Sequence, residues 1–143
     1  MLTANDIALV RASFAKVLPI KDVAADLFYN RLFEIAPQLR RMFPPDLREQ
    51  KIKLMAMLAA AVGGLDDLNA LVPKVKALGA RHADYGVTVN HYAIVGDALM
   101  WTLDRGLGEA FTSDVRSAWA KVYGVLAGTM QVGASEADNM RAA

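Results

Sequence analysis

Apolar residues recur at intervals of three and four along nearly the whole chain, the spacing that gathers side chains on one face of an α-helix. No segment combines strict alternation with β-branched enrichment and a hairpin turn signal, so the pattern predicts an all-α protein. Thr3, followed three residues later by Asp6, reads as an N-terminal cap. Ile7, Val10, Phe14 and Val17 then mark the inner face of a first helix that ends before Pro19. A second helix begins near Asp22, turns Ala25, Phe28, Tyr29, Leu32 and Phe33 inward, and stops by Pro37. A short helical turn runs from there to Phe43. Pro44 and Pro45 force a break, after which Gln50, Leu54, Met57, Leu58 and Ala61 share one stripe ending at Gly63 and Gly64.

Pro73 can open a helix but sits poorly inside one, so the next helix is expected over Pro73 to His82. Asn90 offers a cap for a long helix through Ile94, Val95, Ala98, Leu99 and Leu103, ending near Gly106 and Gly108. Thr112 or Ser113 caps a last helix carrying Val115, Trp119, Val122, Tyr123, Leu126 and Met130 on one face. From Gly133 the pattern weakens, and a frayed tail is expected. With no internal repeat and no flexible linker, residues 1–143 read as a single domain.

Composition narrows the function classes. The 143 residues are 55% hydrophobic, enough to bury one core. Sixteen Lys and Arg against fifteen Asp and Glu form no basic face, which argues against a nucleic-acid partner. Asp6 and Arg11 interrupt the opening segment. The longest nearly charge-free apolar run, Leu54 to Leu65, falls short of the roughly 20 residues that span a bilayer. A soluble, cytoplasmic protein with no membrane contact is the expectation. The absence of cysteine excludes disulfides, thiolate metal sites and iron–sulfur clusters.

Candidate chemistry is sparse. There are two histidines, His82 and His91, and no zinc-site spacing, nucleophile elbow or phosphate loop. Leu78 and Val75 precede His82 by one and two turns, so its imidazole projects from an apolar face and needs a partner inside the core. By local pattern alone His82 reads as an ordinary core histidine. A single-imidazole ligand to a haem iron is the alternative.

Several strings, taken in order, resemble one family. Leu27-Phe28-Tyr29-Asn30-Arg31-Leu32-Phe33, His82-Ala83-Asp84-Tyr85-Gly86-Val87, His91-Tyr92-Ala93-Ile94-Val95-Gly96-Asp97 and Ala118-Trp119-Ala120-Lys121-Val122-Tyr123-Gly124, with the Phe43-Pro44 corner, are similar to bacterial haemoglobins and the globin part of flavohaemoglobins. The likeness covers about Leu2 to Met130. It implies a globin fold, a helical sandwich around a haem with a short or poorly ordered D region. The cofactor would be iron in haem b, held non-covalently because no cysteine can attach it.

Position by position, the resemblance makes His82 the iron ligand, Phe43 a ring packed on the haem, and Tyr29, Gln50 and Leu54 the gas-side lining. Leu78, Val87, Tyr92 and Val95 are further cofactor contacts, and Arg81 and Lys53 are placed to meet the propionates, or equally to be solvated charges. By spacing alone Tyr29 could equally be a core aromatic and Gln50 a solvated helix residue. Lys51, Lys53 or Met57 could swing onto the metal as a sixth ligand. Family members orient the proximal imidazole through a tyrosine and a glutamate. Tyr92 matches the tyrosine, whereas Ala134 falls at the glutamate position with Glu136 two residues later. His91 reads as a surface residue at a helix start.

The implied function is oxygen binding for storage, delivery or scavenging, with carbon monoxide and nitric oxide as further ligands. Nitric oxide dioxygenase chemistry would need an external reductase, because the sequence carries no reductase domain. A haem-based gas sensor is a third reading. A monomer or weak homodimer is expected.

Overall fold

The computed structural model describes residues 2–142 and, among them, contains six α-helices, three short 3₁₀ turns and no strand. Helix α1 (Ala4–Val17) starts as its sequence dictates. The Asp6 amide donates to Thr3 Oγ1 and the Thr3 amide donates to Asp6 Oδ2, each at 3.0 Å. A 3₁₀ turn over Leu18–Ile20 leads into α2 (Lys21–Ile35), and Pro37 opens a second turn, Pro37–Met42. After a non-helical stretch at residues 43–47 come α3 (Arg48–Gly63), α4 (Leu68–Asp84) and α5 (Val89–Leu107). A third turn, Gly108–Ala110, precedes α6 (Ser113–Ala142). Thr112 caps α6, its hydroxyl accepting from the Val115 amide at 3.3 Å.

Helix α2 packs on α5, while α6 lies across both α1 and α4. Val10, Leu32, Leu65, Trp119 and Val122 are fully enclosed. Polar contacts distant in sequence also tie the helices together. The Trp119 indole donates to Ser13 Oγ at 2.8 Å, so the largest core side chain leaves no buried donor unpaired. Arg11 donates to the Val62 and Gly63 carbonyls at 3.2 and 2.9 Å, closing the C-terminal end of α3. No helix among the described residues is long and apolar enough to cross a membrane.

Three local expectations are corrected. Helix α4 does not start at Pro73. It begins at Leu68, because the Asp67 side chain caps it at the Ala70 amide (3.3 Å), and exposed Pro73 sits in its second turn. Helix α5 begins two residues earlier than an Asn90 cap would allow. The Thr88 amide donates to His91 Nδ1 at 3.0 Å, so the His91 ring occupies the role a Glu or Gln takes in a capping box.

The tail beyond Gly133 is helical to Ala142 rather than frayed. Lys76 and Glu136 pair at 3.1 Å, Arg141 pairs with Asp84, and Gly133 lies against the α4 backbone. These contacts hold a segment whose own apolar pattern is weak.

Candidate functional site

The two histidines differ in a way that decides which of them can hold a metal. His82 Nδ1 lies 2.8 Å from the Leu78 carbonyl, one turn back along α4. A carbonyl can only accept, so Nδ1 carries the proton and Nε2 keeps its lone pair. At His91 the partner is the Thr88 amide, which can only donate, so Nδ1 is the acceptor and the proton sits on Nε2. A half-buried His82 with a fixed ring and a free Nε2 has the donor chemistry that an axial imidazole needs.

The apolar residues expected near His82 are withdrawn from solvent to different degrees. Leu78, Val87 and Val95 are half-buried and Val75 is buried. The Val87 amide donates to the His82 carbonyl at 3.0 Å, which closes the end of α4. Tyr92 is half-buried, and burial pushes its phenol up. Its carbonyl accepts from the Tyr123 hydroxyl at 2.5 Å, tying the first turn of α5 to α6. Glu136 pairs with Lys76 at 3.1 Å, and no hydrogen bond joins it to Tyr92 among the described residues.

The expected gas side is a separate cluster. Tyr29 is only 3% exposed, on the inner face of α2. Its ring meets Phe28, Phe43 and Phe33 at centroid distances of 5.0, 5.7 and 6.1 Å, and Phe33 meets Phe43 at 5.4 Å. Phe43 therefore belongs to this aromatic nest. Burial raises the Tyr29 phenol above its ordinary value, with the Gln50 side chain acting on the same hydroxyl in the opposite direction. Tyr29 thus keeps its proton at neutral pH and remains a donor. The structure brings Tyr29, Gln50 and Phe43 together, with half-buried Leu54 one turn beyond Gln50 on α3.

The charged candidates lie outside. Arg81 and Lys53 are exposed, and Lys53 faces Glu49 at 3.7 Å. Lys51 is held by Asp26 at 2.8 Å, which engages the amine that a sixth-ligand role would need. A surface cavity of about 410 Å³ opens at the start of α3, lined by Pro44, Asp46, Arg48, Glu49, Gln50 and Lys53. It adjoins the Tyr29 cluster through Gln50, and His82 is not among its walls. The Asp26–Lys51 pair and the close approach of α6 to α4 at Gly133 carried no signal in the sequence, because both depend on which helices meet.

The Globin family model matches residues 26–130. The chain is a globin. Neuroglobins of Tetraodon nigroviridis and Danio rerio are 32% and 31% identical, with 92% of this chain and of each relative aligned. The flavohaemoprotein of Bacillus subtilis is 31% identical over 89% of this globin, which spans about a third (33%) of that protein. Among solved structures, a suggested nitric oxide dioxygenase from Rhodothermus marinus, in the form of an engineered carbene transferase, superposes with a TM-score of 0.88. It is 26% identical, and the match covers both chains completely. The likeness thus extends to neuroglobins as well as to the flavohaemoproteins whose motifs the sequence resembles.

Proposed function

We propose that this globin holds a non-covalent haem b through His82 Nε2 and binds a diatomic gas, oxygen foremost, beneath Tyr29 and Gln50. The observation that carries the reading is the pairing of His82 Nδ1 with the Leu78 carbonyl, which leaves the iron-binding nitrogen free and the ring fixed. Haem would supply the iron to which the gas binds. The chain supplies the rest. Leu78, Val87, Val95 and Leu54 would keep water away, Phe43 would pack against the macrocycle, Tyr92 would back the imidazole, and Arg81 and Lys53 would meet the propionates. Tyr29 Oη–H and the Gln50 amide donate to the gas.

Hydrogen bonds to a charged acceptor in a dry site are worth about 1.5–3 kcal/mol each. Tyr29→Phe is therefore expected to speed oxygen dissociation roughly tenfold or more, with a smaller effect on the less polar carbon monoxide. Stopped-flow displacement of oxygen measures it, and an unchanged rate removes Tyr29 from the gas site.

A second reading, nitric oxide dioxygenation with an external reductase, draws support from the flavohaemoproteins and the Rhodothermus marinus structure. NADH-driven nitric oxide consumption in cell extract, abolished by His82→Ala, would favour it. Its absence would leave gas binding. The pairing of Glu136 with Lys76 favours binding over peroxidase-like chemistry, which depends on an electron-rich proximal ligand.

A further inference from the structure

Gln50 sits in the first turn of α3, a turn whose start is held by contacts between near neighbours in sequence. The N-cap residue, Leu47, has no side chain that can bond the helix end, and the one side chain that does is the neighbouring Asp46, whose carboxylate accepts from the Arg48 amide at 3.0 Å; residues 43–47 are not helical. Two ion pairs in this region, Arg48 with Asp46 at 2.7 Å and Lys53 with Glu49 at 3.7 Å, join neighbours in sequence and fix nothing to another helix. Among the described residues, one ion pair crosses from α3 to α2: Lys51 Nζ to Asp26 Oδ1 at 2.8 Å. Its position is informative. Asp26 lies three residues before Tyr29 on α2 and Lys51 is adjacent to Gln50, so the pair brackets the two proposed gas donors from outside.

We propose that the Lys51–Asp26 pair is a latch that positions Gln50 against Tyr29 and so sets how fast gas leaves the site. The inference rests on the reading that Tyr29 and Gln50 hold the gas. With the latch closed, the first turn of α3 stays against α2 and both donors converge. With it open, that turn moves away, Gln50 leaves the hydroxyl, and the neighbouring cavity gains access to the site. Both latch residues are partly exposed, with side-chain accessibilities of 30% and 57%, so added salt screens the attraction and the latch responds to ionic strength.

Two measurements on the purified, haem-loaded protein test this. Asp26→Asn and Lys51→Met should each speed oxygen dissociation about threefold, while the charge-swapped double variant Asp26→Lys with Lys51→Asp restores the original rate. The wild-type rate should rise between about 0.01 and 1 M salt, and the Asp26→Asn rate should stay flat. Amide hydrogen exchange over residues 48–54 should quicken in Asp26→Asn, a readout that does not depend on the gas. Unchanged exchange and an unchanged release rate in both single variants overturn the latch. Failure of the underlying reading shows separately, as an oxygen release rate indifferent to Tyr29→Phe.

Discussion

Replacing His82 with alanine is expected to give a folded protein that loses haem at least about a hundredfold faster than the wild type. The variant should fold because little else depends on the ring. His82 is half-buried, and the Leu78 carbonyl it engages also lies in the normal backbone ladder of α4, so no buried acceptor is orphaned. The expected cost in stability is about 1 kcal/mol, typical of a truncation at a half-buried site. Haem affinity falls much further, because the chain has no other imidazole ready to replace the lost one. His91 has its proton on Nε2 and its Nδ1 committed to the Thr88 amide. Haem transfer to a scavenging globin, followed by absorption spectroscopy, measures the loss. Added imidazole should restore the spectrum by filling the space the ring vacated. A variant that keeps its haem and its spectrum without added imidazole would show that another residue holds the iron.

Legibility in the sequence followed the range of the interaction. The capping box of Thr3 and Asp6, the stop at Pro37 and the end of α3 at Gly63 are contacts between residues a few positions apart, and spacing reveals them directly. The face of α2 that carries Phe28, Tyr29 and Leu32 was legible for the same reason, as one period of a helix. Local rules misled where two devices competed. Pro73 argued for a helix start, but the Asp67 side chain already satisfied the end further upstream, so the chain lost one bond and kept the helix. Asn90 is a good cap residue, yet Thr88 with the His91 ring behind it closes the same end two residues sooner. Long-range contacts left no trace at all. Nothing in the spacing of Asp26 and Lys51 marks them as partners, and the tail beyond Gly133 draws its order from α4 rather than from its own pattern.

The same dependence on α4 leads to the expectation that Gly79→Ala destabilises the fold by about 3 kcal/mol or more, against the usual sign. In an ordinary helix interior, Gly to Ala stabilises by about 0.8–1.0 kcal/mol through backbone entropy. At Gly79 an added Cβ would stand 1.9 Å from the Met130 carbonyl oxygen and 2.4 Å from its carbon. Across the same crossing, a Cβ on Gly133 would stand 2.1 Å from the Lys76 carbonyl oxygen. The obstacle in both cases is backbone, which cannot swing aside as a side chain does, so α4 and α6 must separate along their contact. Gly128 provides the internal control. It lies in the same helix α6 with nothing within 4 Å of its would-be Cβ, and Gly128→Ala should stabilise by up to about 1 kcal/mol. Urea unfolding of the two variants should therefore move the midpoint in opposite directions with the slope unchanged. Equal shifts of the same sign would mean that the crossing is not close-packed. The consequence reaches the proposed iron site, because His82 follows Gly79 by three residues on the same helix. Forcing α4 off α6 displaces the imidazole together with the Leu78 carbonyl that orients it. Gly79→Ala should accordingly loosen haem even where the protein remains folded, and Gly128→Ala should leave haem retention as it was.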